Sequence, residues 1–164
     1  MPHIGMDAQS GRIVAAALTD RSVDDAAQVA PLLDPVADPI AALLGDGAYD
    51  CLSVYADMQA RHPEGAVVVP PRVGAVLSDT AETAPTQRDR HLQQIAETGR
   101  LNWQRDSRYD LRALVAAQIG RWKRVIGDAL RSHTDAAQTT EIAIAVKVLN
   151  RMLDLGRPKS VRVA

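Results

Sequence analysis

The chain has 164 residues, of which 46% are hydrophobic and 24% are charged, a length and composition typical of one globular domain. Its single cysteine excludes an internal disulfide framework and a zinc site built from thiolates. The sequence shows neither a signal-type stretch nor an apolar run of the ~18 residues needed to span a bilayer, so we expect a cytoplasmic protein with no membrane partner.

The net charge of −1 conceals a division of the chain. Residues 1–85 carry four basic groups against twelve acidic groups, whereas residues 86–164 carry fifteen basic groups against eight acidic groups. The two parts therefore have net charges of −8 and +7. Such asymmetry indicates either a basic surface that faces a polyanion or two parts that neutralise each other in the fold.

The first half alternates short β-like runs with helical segments, the pattern of an α/β domain. We predict a hairpin of strands at 2–6 and 12–18, then a helix that is capped by Ser22 and ends near Leu33. Unbroken apolar runs at 40–45 and 66–69 predict two buried parallel strands. A helix over 51–61 connects these two strands.

The second half is predicted to be mainly helical after a long, irregular and mobile loop over residues 72–86. We expect helices over 87–98, 110–131 and 135–155, the last capped by Thr134 and followed by Gly156 and Pro158. The middle helix carries an apolar stripe of Leu111, Val115, Ile119, Trp122, Ile126 and Leu130.

One narrow face of the middle helix carries basic side chains. At 100° per residue, position 116 lies about 40° and Lys123 about 20° from Arg112. Arg121 and Arg124 project in other directions and extend the basic character around the helix.

Two motifs together resemble one protein family. The string Gly45-Asp46-Gly47-Ala48-Tyr49-Asp50 resembles the second-aspartate segment of bacterial insertion-sequence transposases whose catalytic set is Asp, Asp and Glu. The spacing of Tyr109, Arg112, position 116 and Lys123 matches the Tyr-Arg-Glu-Lys signature of the same enzymes, except that Ala116 stands at the glutamate position.

This resemblance implies a ribonuclease H-like mixed sheet followed by a helical C-terminal part. It implies Mg²⁺-dependent cleavage and strand transfer on double-stranded DNA at the element ends, with Asp46 as the second catalytic aspartate and metal ligand. The nucleic-acid-binding residues implied are Tyr109, Arg112, Arg121, Lys123 and Arg124.

The sequence departs from the family pattern at two places. The strand that bears the first aspartate is absent, so we expect an amino-terminal truncation, and Ala116 has no oxygen for a metal ion. Two-ion chemistry at a phosphodiester needs several carboxylate ligands. Neither Asp50 nor Asp110 takes the place of the missing acids. We therefore predict that the chain has no independent catalysis.

The whole chain, 1–164, is interpreted as a partial catalytic domain with three parts. These are a hairpin and βαβ part over 1–71, an irregular insertion with one helix over 72–108, and two C-terminal helices over 109–164. Without its first strand, the sheet would keep two unpaired edges and be marginally stable, or be completed by a partner segment.

Two alternatives remain open. In the first, the chain is the downstream half of a split transposase whose amino-terminal segment is encoded separately. In the second, the chain is a non-catalytic DNA-binding module that competes with intact transposase.

Overall fold

The computed structural model describes residues 1–20 and 22–156 and has the predicted mixture of helices and strands. The strands are β1 Pro2–Met6, β2 Ile13–Leu18, β3 Ala42–Leu44 and β4 Ala66–Val68. The helices are α1 Val29–Leu33, α2 Leu52–Arg61, α3 Gln87–Thr98, α4 Arg100–Asp106, α5 Arg112–Val125 and α6 Asp135–Leu155. Within this part of the chain, no helix is both long and apolar enough to cross a membrane.

β1 and β2 form the predicted antiparallel hairpin, with Pro2 opposite Leu18. Its turn is shaped by the Asp7 carboxylate, which accepts hydrogen bonds from the backbone amides of Gln9 and Ser10. Such side-chain to backbone bonds are typical of aspartate in turns. This part of the sequence prediction is confirmed.

β3 and β4 pair in parallel, as predicted, but they are shorter and less buried than expected. Each has three residues, and all of β3 is only half-buried. Among the described residues, β3 has a single neighbouring strand, because the hairpin and the parallel pair form two separate sheets. A two-stranded pair covers little surface, which explains the partial exposure.

Several helix boundaries differ from the prediction. The cap at Ser22 is wrong: the Asp24 side chain accepts a bond from the Ala26 amide and begins a 3₁₀ turn before α1. The helix predicted to reach residue 131 ends at Val125, because Gly127 has a φ of 119° and breaks the helical path. Pro158 lies outside the described residues.

The apolar stripe on α5 is also only partly buried. Trp122 is 6% exposed, whereas Ile119 is 46% exposed. The short helix lies against the hairpin and α6 mainly through its last turns, so its earlier apolar positions stay accessible.

The apolar residues form two separate cores. One lies between the parallel pair and helices α1 and α2 and is centred on Val54, Met58 and Val67. The other lies between the hairpin, α5 and α6 and is centred on Trp122 and Ile142. Each of the two sheets therefore packs against its own hydrophobic core.

Residues 72–108, which the sequence predicts to be an irregular insertion with one helix, contain two helices, so the prediction of one helix is wrong. Gly99, with a φ of 84°, ends α3, and α4 starts at the next residue. In α4, Trp103 is completely buried and packs against the rings of His91 and Tyr109, with centroid distances of 5.4 and 5.7 Å. These ring contacts hold the helical pair together.

Residues 72–86 have no helix or strand, as predicted, but they are tied to α3 by a buried carboxylate. Asp89 accepts hydrogen bonds from the amide and hydroxyl groups of both Ser78 and Thr86. These bonds hold the pKa of Asp89 well below its usual range.

Candidate metal and DNA-binding face

Asp46 lies just beyond the carboxyl end of β3, where the chain leaves the parallel sheet. It caps the 3₁₀ turn Gly47–Tyr49 by accepting a hydrogen bond from the Ala48 amide, with 2.9 Å between Oδ1 and N. A Cβ at Gly45 would come within 2.9 Å of the Tyr49 ring, so the position before Asp46 must be small. The turn fixes the carboxylate while leaving 48% of the Asp46 side chain exposed.

The first residue of α5 brings a guanidinium to this carboxylate. Nη2 of Arg112 lies 3.2 Å from Oδ2 of Asp46, although the two residues are 66 positions apart. Both side chains are more than 40% exposed, and such pairs contribute about 0–1 kcal/mol. Arg112 can therefore exchange the carboxylate for a phosphate group at little cost.

The other predicted site residues on α5 lie further along the helix than Arg112. Ala116 follows Arg112 by one helical turn, and Lys123 lies about 16 Å further along the helix axis than Arg112. Both Ala116 and Lys123 are exposed. We call Asp46, Arg112, Ala116 and Lys123 the Asp46 face.

The remaining predicted nucleic-acid contacts have different surroundings. Arg124 is exposed. Arg121 turns towards α6 and donates to the Leu149 carbonyl at 2.6 Å, so its guanidinium joins two helices. Tyr109 is half-buried and packs its ring against Trp103. Roles for Tyr109 and Arg121 in binding nucleic acid stay predictions.

A second aspartate, four residues after Asp46, has a different environment. Asp50 has a fully buried side chain that accepts hydrogen bonds from Nε and Nη2 of Arg88 at 2.7 and 3.0 Å, and from the Arg72 amide at 2.9 Å. Burial alone would raise the pKa of Asp50, but these hydrogen bonds outweigh it and keep the pKa below its usual range. We call the buried Asp50 carboxylate, together with the exposed Arg72 and the partly buried Arg88 that bind it, the buried network.

The buried network reaches the Asp46 turn through Arg72. Its guanidinium donates to the carbonyl groups of Gly47 and Ala48 at 2.9 and 2.7 Å. Arg72 thereby holds the turn that orients Asp46. The sequence alone does not indicate this role, because no local pattern links Arg72 to Gly47 and Ala48, which precede it by 25 and 24 positions.

Burial raises the pKa of the Tyr49 hydroxyl, and the nearby negative charges of Asp25, Asp46 and Asp24 raise it further.

The acidic residues near Asp46 do not form a ligand set for a pair of divalent ions. The described residues contain no group of three or more His, Cys, Asp or Glu side chains placed to hold a metal ion. One Asp46 oxygen already accepts a hydrogen bond from the Ala48 backbone amide, and the other faces the Arg112 guanidinium. This donor set does not fit a two-ion centre.

Comparison with protein families gives one match that covers most of the chain. A family model described as the transposase DDE domain matches residues 1–151. No solved structure matches the chain.

Proposed function

Because the chain belongs to the transposase DDE domain family, we propose that it binds double-stranded DNA at the ends of a mobile element without cleaving it independently. The family acts in DNA transposition and generally uses a divalent metal ion such as Mg²⁺. DNA is therefore the partner that the family supports. The lack of independent cleavage that we propose follows from residues of this chain.

The observation that carries the proposal is the alanine at position 116 of α5, one helical turn after the arginine that contacts Asp46. Side chains four residues apart on a helix lie about 5–6 Å apart at Cβ, so a glutamate at 116 would lie on the same side of α5 as Arg112, the residue that contacts Asp46. The methyl group of Ala116 cannot bind a cation. We propose that position 116 is the degenerate glutamate of the Tyr-Arg-Glu-Lys signature.

The remaining side chains of the face support binding of phosphate. Arg112 offers a planar guanidinium that suits two phosphate oxygens, and Lys123 offers a point charge. Arg124 adds a further exposed cation on another side of α5. Such contacts hold duplex DNA through its backbone with little dependence on sequence.

Restoring the carboxylate tests the proposed metal chemistry. Ala116→Glu should bind Mn²⁺ at least roughly tenfold more tightly than the unmodified chain, a gain of about 1.4 kcal/mol, as measured by isothermal titration calorimetry. Ala117→Glu is the matched control, because Ala117 is also exposed but points about 100° away. Adding Asp46→Asn to Ala116→Glu should remove the gain.

Two results would contradict this proposal. One is Mg²⁺-dependent cleavage of cognate element ends by the unmodified chain. The other is equal Mn²⁺ affinity for Ala116→Glu and Ala117→Glu.

Salt dependence tests the proposed DNA contacts. The affinity for a duplex should fall with salt, and the slope of log K against log salt should become shallower by about 0.9 for each phosphate that a variant no longer neutralises. We expect this change for Lys123→Gln and for Arg124→Gln. Lys147→Gln, which removes the same charge from an exposed position on α6, should leave the slope unchanged. Absence of duplex binding at low salt would contradict the proposal.

We also propose that the two sheets are parts of one ribonuclease H-like sheet, joined by a strand that a partner segment supplies. The antiparallel hairpin and the parallel pair have the strand directions that this arrangement needs. Separate sheets leave edges of β1 and β3 without a strand partner among the described residues. Hydrogen exchange should show rapid exchange of the outward amides of β1 and β3 in the isolated chain. Slow exchange at both edges would contradict the proposal.

A further inference from the structure

Helix α6 carries apolar side chains on two faces that lie about 110° apart around the helix axis. Ile142, Ala145 and Leu149 are buried against the hairpin and Trp122. On the second face, Ile144, Val148 and Leu155 are 57%, 42% and 69% exposed. A surface helix needs one apolar face to pack on its own domain, so the second face indicates a contact with another molecule.

The second face has the spacing of a coiled-coil seam. Its residues recur at alternating intervals of four and three, which keeps them on one side of a helix that packs against a partner helix. The residues of this α6 seam are Ala137, Glu141, Ile144, Val148, Arg151 and Leu155. The seam is about 27 Å long.

The two charged residues of the seam define the partner and its direction. Glu141 and Arg151 lie equally far from the midpoint of the seam, so in an antiparallel pair of identical helices each Glu141 faces an Arg151. The same pairing places Ile144 opposite Val148. In a parallel pair, glutamate would face glutamate and arginine would face arginine, which is unfavourable. We propose that the α6 seam binds a second copy of this chain in antiparallel orientation.

The local environment of Glu141 suits this pairing. Its carboxylate accepts hydrogen bonds from the backbone amides of Arg131 and Ser132. These bonds lower the pKa of Glu141 and keep it negatively charged. Arg151 is exposed and has no ion-pair partner among the described residues. A single-helix seam is small beside standard interfaces, so the dimer forms reversibly with concentration.

Sedimentation of the purified full chain tests self-association, which does not depend on the proposed function. Over a concentration series, the unmodified chain should shift from one copy of 17.6 kDa to two. Val148→Glu should remain a single copy throughout. Leu101→Glu, at an exposed apolar position on α4, should associate like the unmodified chain.

Arg151→Glu provides a second test of the seam, because it places glutamate opposite Glu141 and should also prevent association. Circular dichroism of each variant verifies that the helices are intact. A monomeric unmodified chain, or a dimer that survives both Val148→Glu and Arg151→Glu, would overturn the proposal.

Disulfide trapping tests the direction. In a Cys51→Ser background, chains carrying Ala137→Cys should be mixed with chains carrying Leu155→Cys. The antiparallel seam predicts disulfides between the two kinds of chain. Disulfides formed only between identical chains would indicate a parallel pair and overturn the assigned orientation.

Discussion

The Asp46 face and the buried network contain aspartates only four residues apart, but their carboxylates have different environments. Asp50 is enclosed and receives three hydrogen bonds from Arg72 and Arg88. The Asp46 side chain is half exposed. It accepts one hydrogen bond from a backbone amide and forms one weak ion pair. The comparison shows that a carboxylate used to build a fold is surrounded by donors, while one available for binding keeps an accessible oxygen.

The largest expected effect separates the two aspartates directly. Asp50→Asn should lower the free energy of unfolding by about 3 kcal/mol, because it leaves the partly buried Arg88 without its charge partner. Asp46→Asn, which makes the same chemical change, should cost less than about 1 kcal/mol. Urea unfolding of both variants measures the difference. Equal losses would show that the two environments are not energetically distinct.

Acid should remove the stability that the carboxylates of Asp50 and Asp89 contribute to the folded protein. The pKa values of Asp50 and Asp89 are lowered in the folded protein, whereas an unfolded aspartate titrates near about 3.9. Their contribution is therefore fully present above that pH and is lost as the pH falls through the lower folded pKa values. Urea unfolding at a series of acidic pH values should show this decline.

The matched variant for the acid experiment is Asp89→Asn. It should be less stable than the parent at neutral pH, and its stability should depend less on pH below about 4. A variant with the same pH dependence as the parent would contradict this account of Asp89.

A smaller effect is expected where the two regions meet. Arg72→Lys keeps the positive charge but cannot donate to both the Gly47 and Ala48 carbonyl groups in the same geometry. We expect a loss of about 1 kcal/mol in the free energy of unfolding. Arg90→Lys, at an exposed position, is the control and should have no measurable effect in the same unfolding assay.

The smallest effect is expected at the Asp46 face. Arg112→Gln removes the ion pair with Asp46 and should change the free energy of unfolding by at most about 0.5 kcal/mol. It should nevertheless weaken binding to duplex DNA at low salt, which fluorescence anisotropy can measure. A large stability loss with unchanged DNA affinity would assign Arg112 to the structural region instead.

Local sequence patterns predicted the elements that depend on local chemistry. The hairpin follows from two short β-like runs that flank a polar turn, and α6 begins after Thr134, whose hydroxyl accepts a hydrogen bond from the Ala137 amide. Residues 86–89 form a capping box in which Thr86 and Asp89 bond to each other's backbone amides, a spacing visible in the sequence.

Contacts between distant parts of the chain could not be predicted in this way. The Asp50 and Arg88 side chains pair across 38 residues, and no periodic pattern connects them. The sequence around Arg88 is equally compatible with a phosphate contact or a solvated helix face, but in the structure Arg88 pairs with Asp50. α4 escapes prediction because Gly99 signals a helix end, although here it separates two consecutive helices.

The proximity of Asp46 and Arg112 is different, because family resemblance assigns both to one site. Charge and helical periodicity alone group Arg112 only with residues of its own helix. Such a grouping could not predict the 3.2 Å contact between the Arg112 guanidinium and the Asp46 carboxylate, which lie in distant parts of the sequence.

The placement of the two tryptophans offers a way to observe two regions of the protein separately. Trp103 is enclosed where α3 and α4 meet, and Trp122 lies in the core formed by the hairpin and α6. These are the chain's only tryptophans, so replacing either one with phenylalanine leaves a single intrinsic fluorophore in a known location. Stopped-flow emission from the two variants can then reveal whether the α3–α4 region and the hairpin core lose structure together or in succession.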